Sequence, residues 1–96
     1  MKVLGEIAQE RFRQEQLKAG GKFKYTCADA PLALDFARCA TVLGEEFGEV
    51  AKEVCDLITA SEKNDDDAYR LHRANLRTEL IQVAAVAMAW VEGLDR

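Results

Sequence analysis

Between Leu80 and Val91 the chain reads LIQVAAVAMAWV, with Gln82 as its only polar residue. No strand-like alternation runs through it, and Glu79 and Leu76 extend the helical spacing upstream. A helix so apolar must be covered on almost every side. The rest of a 96-residue chain cannot do that comfortably, because a protein this small buries only about two-thirds of its unfolded surface. The sequence therefore predicts an all-α fold: an antiparallel helical bundle of three to four helices per chain, completed by oligomerisation with a second copy of the chain, a homodimer or higher. Residues 1–96 form a single domain, since no repeat, linker or low-complexity tract divides them.

Two further helical segments precede this one. The first spans about Lys2 to Lys18, with Val3, Leu4, Ile7, Ala8 and Phe12 recurring at three and four, and Gly20 and Gly21 ending it after a basic last turn. The loop GGKFKYTCADA follows, and Asp29 and Pro31 read as the start of the second helix. That helix runs to about Ser61, with Phe36, Leu43, Phe47, Val50, Val54 and Ile58 as its apolar stripe. Gly44 and Gly48 cost helicity, up to about 1 kcal/mol each against alanine, and leave room for a close neighbour. The third helix covers about Asp66 to Leu94, with Asn64 or Asp65 as N-cap and acids in its first turn.

Net charge is −4, unevenly spread. Residues 11–24, RFRQEQLKAGGKFK, hold five basic residues against one acid, which on spacing alone reads as a solvated helix end and a loop. A mostly acidic chain is a poor partner for duplex nucleic acid, where several phosphate contacts supply most of the affinity. It suits gripping a few phosphates beside a cation. The apolar run VAAVAMAWV (Val83 to Val91) is too short to span a bilayer, and Glu6 interrupts the apolar start that a secretory leader would need. Cys27, Cys39 and Cys55 show no metal-ligand spacing and read as reduced thiols in a cytoplasmic protein, with Cys39 and Cys55 as small packing residues.

The stretch LGEEFGEVAKEV (Leu43 to Val54) carries four glutamates. At about 100° per residue, Glu46 and Glu53 border the apolar stripe, Glu49 lies just beyond and Glu45 further out. On the third helix Glu79 falls inside the apolar sector and Gln82 at its edge. A lone carboxylate facing a core is tolerated when protonated, paired or bound to metal. Arg73, Arg77 and Lys52 are candidates for pairing. Packing the second helix against the third can instead bring Glu46 and Glu49 opposite Glu79 and Gln82. Crowded carboxylates need a counter-charge, and oxygen-only ligands on rigid helices suit Mg²⁺, with Mn²⁺ as the alternative. His72 has no second histidine to form a softer site and reads as structural or as a support to a ligand.

The motif Glu45-Glu46-x-x-Glu49 followed by Glu79-x-x-Gln82 resembles the E-E-x-x-E and E-x-x-D pattern of the all-α nucleoside triphosphate pyrophosphohydrolases, the MazG-like group. ELIQVAAVAMAWVEGLD (Glu79 to Asp95) is similar to the last helix of small phage and bacterial members, and RFRQEQLKAGGKF (Arg11 to Phe23) to their N-terminal segment. The resemblance implies that Glu46, Glu49 and Glu79 ligate Mg²⁺, joined by Gln82, and that Glu45 or Glu49 serves as the base. It implies hydrolysis of an NTP or dNTP to the monophosphate and pyrophosphate in a homodimer or homotetramer, as in nucleotide-pool house-cleaning. Lys22, Lys24, Lys52 and Arg77 are the candidate phosphate binders, and Phe23, Tyr25 or Trp90 the candidate stacking partners for the base. Two departures stand out. Gln82 replaces the family's last aspartate and adds no charge, and 29 residues separate Glu49 from Glu79. The alternative reading is a helical dimer that keeps the acidic cluster without turnover, as a nucleotide-binding or interaction module; a third is a structural bundle with Glu79 in a salt bridge.

Overall fold

The computed structural model describes residues 2–21, 26–29 and 33–96. Three α-helices and one short 3-10 turn account for nearly all of them: α1 (Lys2–Ala19), the 3-10 turn (Cys27–Asp29), α2 (Ala33–Glu62) and α3 (Asp66–Leu94). No strand occurs among the described residues, and no helix there is long and apolar enough to cross a membrane. Gly21, at φ 84°, takes the left-handed backbone that ends α1. Asn64 takes the same region at φ 54° between α2 and α3, a conformation asparagine tolerates. That leaves Asp65 as the N-cap of α3, its carboxylate accepting from the Ala68 N–H. Pro31 lies outside the described residues. Asp29, expected at the start of the second helix, belongs to the 3-10 turn.

Side-chain pairings set the register. Glu53 meets His72 and Glu46 meets Gln82, so α2 and α3 run in opposite directions. Glu6 meets Arg77 and Arg11 meets Glu92, so α1 runs alongside α3 in the same sense. The small core holds Cys27, Ala28, Cys39, Val86 and Ala89, with Val42, Leu43 and Trp90 packed against it. Phe36 and Trp90 meet as tilted rings 6.0 Å apart, which makes Trp90 a packing residue.

The buried faces differ from those expected. On α2 the covered positions are Cys39, Val50 and Ala60, with Val42, Leu43, Glu46, Glu53 and Leu57 half-buried. Phe47 is 64% exposed, Ile58 54% and Val54 40%. The covered face is thus turned by about 80° from the centre of the apolar stripe, and Glu46 sits in its middle. On α1 the departure is larger: Arg11 and Gln14 are buried, whereas Val3, Leu4 and Phe12 are exposed. One chain does not cover its own apolar stripes. Cys55, expected to be packed, is exposed as well.

The described part of the basic stretch, residues 11–21, includes a fixed structure rather than only a solvated surface. Arg11 binds Glu15, Thr26 and Glu92 through one guanidinium nitrogen; its Nε and Nη1 are buried with no acceptor among the described residues. The Thr26 hydroxyl donates to Glu15 at 2.8 Å, and Lys18 joins Asp29 at 3.0 Å. Asp29 also accepts from the Thr26 N–H at 2.9 Å. That N–H foremost, with Lys18 and Arg96 adding, holds the Asp29 carboxyl below its usual 3.8 despite opposing burial. Asp29→Ala should cost about 2 kcal/mol, the loss typical of charge-assisted hydrogen bonds, read by urea unfolding. A depressed carboxyl contributes stability above its ordinary pKa and loses it as pH falls through the folded value. The gap between wild type and variant should therefore close below pH 3.8; a gap that persists in acid would assign the loss to packing.

Candidate metal centre

Glu46 on α2 and Glu79 and Gln82 on α3 meet where those two helices cross the middle of their shared face. Gln82 is the hinge of the group. With its amide nitrogen turned inward it donates to Glu79 Oε2 at 3.0 Å and to Glu46 Oε2 at 3.2 Å. Glu79 and Gln82 lie one turn apart on α3, so both side chains leave the helix on the same side. Gln82 lies nearer the middle of the covered α3 face than its sequence position suggested. Its neighbours Ala85, Val86 and Ala89 are all buried, while Leu80 and Met88 are exposed.

The two carboxylates are electrostatically strained. Burial first, then the charges of Glu79, Glu49, Glu10 and Glu45, push the Glu46 pKa above its usual 4.5. Burial first, then Glu49 and Glu53, push up Glu79. None of the ion pairs among the described residues involves either group. Arg77, a sequence candidate for pairing with Glu79, is taken by Glu6 on α1. Among the described residues Glu79 is in no salt bridge.

The donor set is of the chemical type a small hard cation takes. Adjacent ligands of an octahedral ion with 2.0–2.1 Å bonds stand about 2.9 Å apart. The inward atom of the Gln82 amide is 3.0 and 3.2 Å from the two carboxylate oxygens, close to that spacing. Rotating the amide half a turn about its last bond puts the oxygen inward, and the residues then offer oxygen alone, as Mg²⁺ or Mn²⁺ prefer.

The remaining sequence candidates divide. Glu49 and Glu45 are exposed on α2, near enough for their charges to raise Glu46, on the solvent side of the cluster. Lys52 is exposed on α2. Lys22 and Lys24, with Phe23 and Tyr25, lie outside the described residues.

Sequence reasoning missed what α1 contributes. Glu10 raises the Glu46 pKa, and Arg13, held by Glu10 at 2.8 Å, feels the Glu46 charge. Gln14 follows one turn after Glu10. These three and Thr26, Cys27, Val42, Glu46, Gln82, Val86 and Ala89 enclose a cavity of about 180 Å³. The signal was the spacing of Glu6, Glu10, Arg13 and Gln14 along one polar side of α1, which reads as solvated until the partner helix is known.

Towards the loop end of the α2–α3 pair, His72 Nδ1 stands 2.8 Å from Glu53 Oε2 and 3.8 Å from Asp56 Oδ2. Ligand atoms of these three residues lie within 4.8 Å of one another. Glu53 adds to the charge raising Glu79, so this group adjoins the glutamate cluster.

No family model, no curated protein and no solved structure matches this chain.

Proposed function

We propose that the chain hydrolyses a nucleoside triphosphate to the monophosphate and pyrophosphate, with Mg²⁺ held by Glu46, Glu79 and Gln82 and completed by Glu49. The observation that carries this reading is the meeting of Glu46, Glu79 and Gln82 at a half-buried helix junction where neither carboxylate joins an ion pair among the described residues. Carboxylates placed so are costly for the fold, and a bound divalent ion offsets the cost. The motif resemblance adds the reaction type. When bound, Mg²⁺ would supply charge against the phosphate oxygens and water acidified enough to attack.

The chain's own groups supply the rest. Glu45 and Glu49, exposed beside the cluster, are placed to accept the proton of the attacking water. Water adds to the α-phosphorus, the bond from that phosphorus to the bridging oxygen breaks, and pyrophosphate leaves with the electron pair. Arg13 is a described cation that feels the Glu46 charge, and its own charge opposes repulsion of an incoming phosphate chain. Arg77, the described candidate on α3, pairs with Glu6 on α1 at an exposed site.

The uncovered stripe of Phe47, Val54 and Ile58 supports a homo-oligomer. On the same helix, a Cβ added to Gly44 or Gly48 would meet nothing within 4 Å. Exposed apolar area of this kind marks a contact surface. A monomer in sedimentation at the concentrations where the chain works would remove the oligomer from the proposal.

The deciding experiment is pyrophosphate release from a panel of NTPs and dNTPs with Mg²⁺. Release from at least one substrate, abolished by chelation and restored by Mg²⁺, is the expected result. Nucleotide binding without release favours the non-catalytic module, the reading that Gln82 in place of an aspartate motivates. Calorimetry showing no Mg²⁺ binding with or without nucleotide would overturn both.

A further inference from the structure

We propose that the cavity between α1, the 3-10 turn and the α2–α3 pair receives a nucleobase, and that Gln14 reads the hydrogen-bonding edge of that base. The link to hydrolysis rests on the function proposed above; recognition of the base does not.

Size points to a fragment rather than a whole nucleotide. The cavity measures about 180 Å³, whereas sites that enclose a drug-sized ligand run from about 300 to 1,000 Å³. One flat ring system fits such a space, with sugar and phosphates left outside. Glu46 and Gln82 line the cavity and also belong to the cation cluster. A base seated in it therefore leaves its phosphate chain beside the carboxylates.

The lining is chemically suited to an uncharged heterocycle. Val42, Val86 and Ala89 supply apolar wall. The Cys27 thiol adds to it as a neutral group, because burial first, and then contact with Cys39, push its pKa up to about 12. The polar groups around the cavity are already occupied, with one exception. Thr26 donates to Glu15 and Arg13 to Glu10, and Gln82, with its amide nitrogen turned inward as in the metal-free protein, donates to Glu46 and Glu79. Gln14 is 8% exposed and lines the cavity. No hydrogen bond of its amide occurs among the described residues, although the other polar groups around it are paired.

Facing the cavity, this amide is left to water, and a ligand that displaces the water must supply partners in its place or leave the amide unpaired. An amide presents one donor face and one acceptor in a single plane. That is the complement of an edge where a base carries acceptor and donor side by side, as the amide side chains use against adenine. Discrimination between bases would follow from which edge matches without leaving Gln14 unpaired, and sites of this type reject the mismatched analogue strongly.

The test uses nucleosides, which carry a base and no phosphate, and needs no metal. Adenosine, guanosine, cytidine and uridine, with thymidine as the methylated member, are titrated into the isotope-labelled protein without Mg²⁺. Expected is a ranked series in which the best nucleoside shifts the Gln14 side-chain amide signals. Gln14→Leu should weaken that nucleoside at least tenfold. Gln14→Glu, of almost the same size, keeps the packing but exchanges a donor for an acceptor, and should reorder the series. A Gln14→Leu variant that folds and retains both affinity and ranking overturns the proposal, as does a Gln14→Glu variant with an unaltered ranking. The failures are separable. Gln14-dependent nucleoside binding with no pyrophosphate from any triphosphate sustains the pocket and ends the hydrolysis reading. Hydrolysis whose base preference ignores both substitutions sustains the enzyme and ends the pocket.

Discussion

Glu79→Gln should lower magnesium-dependent pyrophosphate release by on the order of 100-fold or more, since even groups that only support metal ligands cost 10–100-fold when removed. The same substitution should leave the metal-free fold intact and raise its melting temperature. Burial and the charges of Glu49 and Glu53 disfavour the ionised Glu79, so an uncharged amide relieves the fold while depriving the cation of an anionic ligand. Glutamine keeps the oxygen that accepts from Gln82 at 3.0 Å, so the local packing survives the change. Opposite movements of stability and magnesium affinity are what separate a metal ligand from a structural carboxylate. Calorimetry and thermal melts in chelator read the two quantities on one preparation. Unchanged magnesium affinity would take Glu79 out of the ligand set, and a fall in metal-free stability would make it a packing or pairing residue.

The sequence exposed the acids through their spacing but not their surroundings. Periodicity located all three helices, with the ends of α1, α2 and α3 within a few residues of those expected. Asp65 was one of two N-cap candidates and was settled by the left-handed Asn64. Faces were harder. Of the expected α2 stripe, Val50 is buried and Phe36 and Leu43 are half-buried, whereas Phe47, Val54 and Ile58 are exposed and Glu46 and Glu53 turn inward in their place. Hydrophobic pattern alone reports that a face needs covering, not whether the same chain covers it. On α1 the error has the same origin: Phe12 and Leu4 look like core, while Arg11 and Gln14 occupy it. A buried arginine is recognisable only once Glu15, Thr26 and Glu92 are seen around it. Glu10, Arg13 and Gln14 escaped notice for that reason, although they complete both the charge field and the cavity beside the cluster.

The position that binds this arrangement together is Gly93. Its Cα faces the 3-10 turn so closely that an added Cβ would collide with the Cys27 carbonyl oxygen and stand 3.3 Å from that of Ala28. The obstacle is backbone, which cannot rotate away as a side-chain tip could. Gly93→Ala is therefore expected to destabilise the protein by about 2–3 kcal/mol, the upper part of the range for overpacked interiors. Helix propensity works the other way, by up to about 1 kcal/mol near the helix centre and less at its end, and does not reverse the sign. The turn must move off α3 to admit the methyl group. Cys27 and Ala28 then leave the core they share with Val86 and Ala89, and the cavity wall opens beside Gln14. Gly48→Ala is the matched control, since its Cβ meets nothing within 4 Å and the same change there should be neutral or stabilising for the chain alone. Urea unfolding of the two variants side by side checks the contrast. Equal stabilities would mean that the turn does not rest on Gly93, and that the cavity owes its shape to the helices without it.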